Sequence, residues 1–408
     1  MEIRLAFDHK GLTLDVPDSM ITDRFGLSTV DRPVTYTEFA TELAASGGEQ
    51  FLSGELPLFV VNDGFRNTPT RHLLEWLDTF DDTILDRAHF LIATGAHSAP
   101  TPEHLSTIFG PYLDRVHDRV GWHDARVLGD MDKIGIDHFG GEVFLNRQAL
   151  EVEKLFVVGS VEPHYFAGFT GGRKSLFPGL TDLATIERNH NLANSLEAAP
   201  LKLKGNPVSE HFDELLGLCD LNRILTAQVV MDAGGRIERI CFGRLDKAFA
   251  DATEAAVRLY SHEVEQKYDI VVAEIRPPLD KNLYQAQKAL ENTQTAVVDG
   301  GSVILVTPCN EGVGSKYFFD LANSWDRETN LPEDGIARFG SHKLSRVNAM
   351  TRRINVRIIS SLPEDHARRV FYEPLDDINE YLAQHEKETH GLRSAVVHDA
   401  GHTVLHTT

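Results

Sequence analysis

The chain has 408 residues, 42% hydrophobic and 25% charged; that length exceeds what one core usually supports, so two domains are expected. Its formal net charge of −21 and its lack of a lysine/arginine-rich stretch with interleaved aromatics exclude a nucleic-acid backbone as partner. The opening MEIRLAFDHKGLTLDVPD has no basic flank before an apolar run, and no segment reaches about twenty uninterrupted apolar residues, so neither a signal peptide nor a membrane span is expected and the default location is cytoplasmic.

In chain order, Ile3, Leu5 and Phe7 alternate, as do Leu12, Leu14 and Val16, around Asp8 to Gly11, which predicts a hairpin. Compact apolar runs follow at Leu58 to Val61, Phe90 to Ala93 and Leu155 to Val158, each ending in a glycine-rich or polar turn, with predicted helices between some of them. That pattern indicates α/β organisation around a parallel sheet. A second hairpin is predicted around Asp232 to Gly235, then a helix from about Asp246 to Glu265. A strand over Asp269 to Ala273, a helix over Tyr284 to Asn292 and a strand over Ser302 to Thr307 begin a second βαβ series. Alternation at Arg353 to Ile359, a helix around Leu375 to Glu386 and a strand at Ser394 to His398 complete it. The boundary is placed near Gln266, giving two α/β domains, 1–265 and 266–408, with a ligand cleft expected between them. Cys219, Cys241 and Cys309 are odd in number and dispersed, against a disulfide framework or a zinc site.

The residues that could carry chemistry fall mostly in strand-end loops. In DGFRNTP, Arg66 offers a planar fork to a carboxylate or phosphate and Asp63 can orient a hydroxyl or Arg66 itself; a purely structural Asp/Arg pair reads equally well. In ATGAH, His97 is a candidate general base or an ordinary loop histidine. In EPHYFAGFTGGRKSLFPG, His164 and Lys174 lie ten residues apart around Gly168, Gly171 and Gly172, which permit backbone turns that side chains would block. GFTGGRKS is not a phosphate-binding P-loop, because Arg173 stands where that motif needs glycine before the lysine. Lys174 suits a covalent tether, although a basic patch explains it as well; His190, in IERNHN, is a surface residue or a metal ligand. Gln285 and Lys288 share a helix face beside Tyr284, which by default is a solvated surface.

Together DGFRNTP, ATGAH, EPHYFAGFTGGRKS, Asn189-His190 and YQAQK resemble, in order and spacing from Asp63 to Lys288, the nickel-dependent lactate racemase family. The resemblance implies a racemase or epimerase of a small 2-hydroxy acid, whose cofactor, the nickel-pincer nucleotide, is a Ni(II) pyridinium-3-thioamide-5-thiocarboxylic acid mononucleotide made by separate cofactor-synthesis enzymes. By position, Lys174 is its covalent attachment point and His190 completes the nickel coordination, an imidazole fitting beside soft sulfur and carbon donors. His97 and His164 become acid/bases on opposite faces of the substrate carbon. Asp63, Arg66, Tyr284, Gln285 and Lys288 become substrate-binding residues, and Gly171, Gly172, Arg173 and Ser175 cofactor-binding ones. The tryptophan that some members set against the cofactor has no counterpart, since Trp325 falls in NSWDRET. Two alternatives remain: a zinc hydrolase built on His97, His164 and His190, disfavoured by the lack of nearby acidic ligands, and a non-catalytic binder of organic anions.

Overall fold

The computed structural model describes residues 1–332, 340–389 and 391–407. The chain divides into two compact units, one of Thr29–Leu192 and Leu201–Leu259, the other of Met1–Ser28, Ala193–Pro200 and Tyr260–Thr408.

The first of these is built on a six-stranded sheet in the order Ile237–Arg244, Ile224–Met231, Leu155–Ser160, Leu58–Asn62, His89–Ala93, Val120–Trp122. All neighbours pair in parallel except the terminal hairpin Ile224–Met231/Ile237–Arg244. The central strands are buried along nearly their whole length, as a sheet covered on both faces requires. Phe59 packs on Phe90 and Phe156 with ring centroids 5.3 and 5.1 Å apart, which fixes these three strands side by side. From Leu58–Asn62 the chain moves to His89–Ala93 on one side and later returns to Leu155–Ser160 on the other. This reversal is where open α/β sheets bind ligands, beyond the strands' carboxyl ends.

The second unit carries an all-parallel six-stranded sheet, ordered Glu373–Pro374, Asn355–Ile359, Val297–Val306, Tyr268–Glu274, Arg393–Val397, Ile21–Phe25. The N-terminal residues therefore differ from their expected assignment. The opening hairpin forms, Glu2–Leu5 against Leu12–Asp15, but Ile21–Phe25 pairs with Arg393–Val397, so Met1–Ser28 belongs with the C-terminal sheet. Chain order cannot reveal such a pairing, because the two strands lie about 370 residues apart. The helix expected to reach Glu265 ends at Tyr260; Ser261–Glu263 instead forms a short strand on Val404–His406. The other expected elements occur with shifted ends, including the helices Leu283–Thr293 and Ile378–Glu388. The glycine-rich Thr307 to Phe318 segment is a connection stitched to the 280–284 backbone, Cys309 N–H donating to Asp280 O and Tyr284 N–H to Val313 O. No described helix is long and apolar enough to cross a membrane.

Candidate active site

Three of the sequence motifs issue from the carboxyl ends of the three central strands. Asp63 follows Leu58–Asn62 directly and is buried; its Oδ2 lies 2.5 Å from His97 Nδ1, while its Oδ1 accepts the Phe65 N–H at 3.2 Å. His97 stands four residues beyond His89–Ala93, its side chain 46% exposed and its ring 4.8 Å from Phe65. A carboxylate on Nδ1 fixes the tautomer and leaves the Nε2 lone pair facing outward, the form a general base needs. Asp63 thus orients His97, and burial and two internal bonds engage both of its oxygens.

After Leu155–Ser160 the chain makes a two-residue bridge, Pro163–His164 with Gly168–Phe169, held by Thr170 Oγ1 donating to Ser160 O at 2.8 Å. His164 Nδ1 accepts the Ala167 N–H at 3.3 Å, which in the neutral ring leaves the proton on Nε2. His97 and His164 are therefore held in opposite tautomers. Phe166 forms a common wall: its ring centroid lies 4.5 Å from that of His164, 5.3 Å from that of His190 and 5.8 Å from Lys174 Nζ. The Lys174 ammonium also lies 6.0 Å from the Phe212 ring.

The residues flanking Lys174 have other tasks than those expected. Gly171 and Gly172 take φ of +73° and +53°, and a Cβ on either would lie within 2.7 Å of Gln228, Ser160 or Phe249 atoms. Gly172 N–H donates to Gln228 Oε1 at 2.6 Å. The glycines serve close packing against the protein itself. Arg173 is buried, stacked 4.9 Å over Phe249, bonded to Ser209 Oγ at 2.6 Å and paired with Asp213 at 3.1 Å. Its charge is spent internally. Ser175 is also buried, and its Oγ finds no hydrogen-bond partner among the described residues. The turn thus buries Arg173 and Ser175 and leaves Lys174, between them, partly exposed.

His190 sits near the end of the helix Leu183–Asn191, which Asp182 caps by accepting the Thr185 N–H. Its Nδ1 lies 2.9 Å from the Ile186 carbonyl, which takes that proton and leaves the lone pair on Nε2. Burial and then the Lys174 charge, with smaller contributions from Arg66 and His97, push its pKa down to about 4, against the Ile186 bond that raises it. The imidazole of His190 is therefore neutral, and Lys174 is the largest of the positive charges that keep it so. Arg66 also lines a cavity of about 810 Å³ with Tyr36, Arg71, Trp76 and Arg236.

Tyr284, Gln285 and Lys288 lie in the other unit, on the helix Leu283–Thr293 capped by Asn282. Gln285 and Lys288 are partly exposed. The Tyr284 ring is packed 5.5 Å from Phe318, and its carbonyl accepts from Lys343 Nζ at 2.8 Å. Lys343 escaped the sequence reading: it is 2% exposed, 4.1 Å above the Tyr284 ring, and burial followed by repulsion from Lys288 lowers its pKa to about 7. Phe166 escaped it too, although its place in HYFAGF, between two singled-out residues, was the available signal. Among the described residues, the histidine, cysteine and carboxylate donors gathered closely enough for one ion are His138, His211 and Glu214, not the His97, His164 and His190 of the zinc-hydrolase alternative.

Residues 49–199 match the lactate racemase N-terminal domain and residues 264–362 the lactate racemase C-terminal domain. The chain is 30% identical over 246 residues to a lactate racemase of Thermoanaerobacterium thermosaccharolyticum, covering 60% of this chain and 56% of that one. It is 29% identical over 235 residues to that of Lactiplantibacillus plantarum, covering 57% and 55%. These alignments span just over half the length of either relative. In fold, it superposes on the lactate racemase apoprotein from T. thermosaccharolyticum with a TM-score of 0.84 at 23% identity, covering 99% of this chain and 100% of that one. A Thermotoga maritima protein of known crystal structure follows with a TM-score of 0.67 at 16% identity, covering 92% and 99%. With both domain models matched in order along one α/β chain, the protein belongs to the lactate racemase family.

Proposed function

We infer that the protein is an isomerase that interconverts the enantiomers or epimers of a small 2-hydroxy acid, with a nickel-pincer nucleotide tethered to Lys174. The observation that carries this reading is the grouping of His164, His190 and Lys174 on the Phe166 ring, with His97 held by Asp63. The residues fit that group: a lysine amine flanked by two aromatic rings suits a covalent attachment, and His190, neutral with Nε2 bearing the lone pair, suits a late transition metal. When bound, the group supplies a reversible hydride acceptor.

The chain's own residues manage the proton and the orientation. His97 Nε2 takes the hydroxyl proton of one enantiomer, Asp63 stabilising the imidazolium that results. On the opposite face His164 serves as the acid in its imidazolium form, with the Ala167 contact released: it gives a proton to the keto oxygen for return of the other enantiomer and is left as the neutral ring. Arg66 binds the substrate carboxylate in this reading, so the reacting carbon is presented in a fixed orientation, and Gln285 and Lys288 are the other unit's candidates for substrate binding. A cytoplasmic setting and loading by cofactor-synthesis enzymes belong to the same proposal. The test is intact mass and nickel content of protein made alongside those enzymes, followed by chiral analysis of a panel of pure 2-hydroxy acids. A mass increase that disappears in Lys174→Ala, one nickel per chain and loss of optical purity are expected; an unmodified Lys174 without nickel refutes the proposal.

A further inference from the structure

A second cluster of donor atoms lies behind the helix that carries His190, and the reading above leaves it without a task. The hairpin Met131–Ile136/Glu142–Asn146 turns at Asp137, whose Oδ1 accepts the N–H groups of Phe139 at 3.1 Å and Gly141 at 2.8 Å, so the turn presents His138 at its tip. The helix Pro207–Leu216 brings His211 and Glu214 to the same place, three residues apart on one face. The donor atoms of His138, His211 and Glu214 all lie within 4.8 Å of one another. Glu214 is already oriented: one oxygen accepts the His138 N–H at 2.6 Å, and the other touches His138 Nδ1.

We propose that His138, His211 and Glu214 form a binding site for a divalent late first-row ion, with zinc the probe of choice, that clamps the hairpin turn to the helix Pro207–Leu216. Two imidazoles and a carboxylate are a common donor set for such ions, which bind each at about 2.0–2.2 Å and keep a fourth position for water. The exposures suit entry of an ion from solvent, the side chains of His138, Glu214 and His211 being 55%, 33% and 0% exposed. Asp137 Oδ2, 3.5 Å from His211 Nε2, adds negative charge, while its pairing with Arg188 at 2.7 Å occupies it and balances part of that charge.

Two buried polar atoms without hydrogen-bond partners point independently to a ligand here: His211 Nε2 and Asn189 Oδ1. At present Asn189 Nδ2 lies 3.3 Å from His211 Nδ1 and donates to Val208 O at 3.1 Å. With an ion on Nε2, His211 carries its proton on Nδ1, and a half-turn of the Asn189 amide presents Oδ1 to receive it. That turn gives up the Asn189 Nδ2 bond to Val208 O in exchange for the bond from His211 Nδ1. Asn189 precedes His190, so occupancy also steadies the helix that holds it.

The experiment is a zinc titration of the purified full-length chain against a competing chromophoric chelator, with His138→Ala, Glu214→Gln, Asn189→Ala and His190→Ala. One zinc equivalent is expected to bind in wild type and equally in His190→Ala. It should weaken at least tenfold in His138→Ala and Glu214→Gln, and about 10–100-fold in Asn189→Ala, as loss of a ligand's orienting partner does. Zinc should raise the melting temperature of wild type and leave that of His138→Ala unmoved, each compared with the same protein without metal. Zinc binding that survives His138→Ala and Glu214→Gln, or that vanishes in His190→Ala alone, overturns the proposal. Neither result depends on racemase activity or on modified Lys174.

Discussion

Asp63→Asn separates the structural reading of the strand-end carboxylate from the one its sequence position suggests. Asp63 accepts two hydrogen bonds, one from His97 and one from Phe65 N–H, and both oxygens are needed as acceptors. An asparagine can supply only one acceptor oxygen. With its oxygen toward Phe65, its NH₂ meets His97 Nδ1 and drives the imidazole into the tautomer protonated on Nε2, which is not a base. With its oxygen toward His97, the NH₂ opposes the Phe65 N–H and the loop must open. Either way a hydrogen bond to a group that becomes charged in the reaction is lost or weakened, a loss of about 1.5–3 kcal/mol. At 1.4 kcal/mol per factor of ten, kcat should fall roughly 10- to 150-fold.

Which kinetic constant moves is the diagnostic. Racemisation has an equilibrium constant of one, so kcat/KM must fall equally for both enantiomers and cannot by itself assign His97 to one face. If Asp63 acts through His97, kcat falls with KM little changed, because a group that touches only the base contributes to the transition state and not to substrate binding. If instead Asp63 contacts substrate, KM rises and kcat holds. Initial rates for each enantiomer, followed by chiral chromatography over a range of concentrations, decide between the two. A raised KM at unchanged kcat refutes the dyad.

Other consequences follow from the same geometry. His97→Ala and His164→Ala should each reduce interconversion by about 10²–10⁴-fold while leaving the Lys174 mass adduct intact, which mass spectrometry and chiral analysis check together. Gly172→Ala forces a Cβ to within 2.4–2.9 Å of Phe249 atoms at φ +53°, and should lower stability by about 2–4 kcal/mol in urea unfolding. Lys343 gives the stability an alkaline dependence. Its folded pKa of about 7 lies below that of the unfolded chain, so between the two the unfolded state binds the extra proton and stability rises with pH. From pH 7 to 9.5 wild type should gain on the order of 3 kcal/mol relative to Lys343→Met, read as the difference between their urea midpoints at the two pH values. Parallel curves would show that Lys343 does not titrate in that window.

The sequence exposed those parts of the site whose chemistry is written locally. Strand, turn and reactive side chain are neighbours in DGFR and ATGAH, so periodicity and punctuation sufficed to set Asp63 and His97 at strand ends and, in GGRKS, Lys174 on a glycine turn. What each side chain does there depends on partners that only the sheet order supplies. His97 meets Asp63 because His89–Ala93 pairs with Leu58–Asn62, and Arg173 is consumed because Asp213 and Ser209 arrive on a helix about 40 residues later. The glycines illustrate the same limit: a positive φ was legible, but whether the space it opens faces a ligand or Phe249 was not. The N-terminal strand is the extreme case, since Ile21–Phe25 is an edge strand whose exposed and half-exposed residues carry little apolar alternation. Its place is decided by a pairing with Arg393–Val397 that no local pattern encodes. Reactive residues in this fold are therefore announced by the loops that carry them, while the groups that set their tautomer and charge come from elsewhere in the chain. That is why the strongest test of the site is made on Asp63 and not on the histidine it holds.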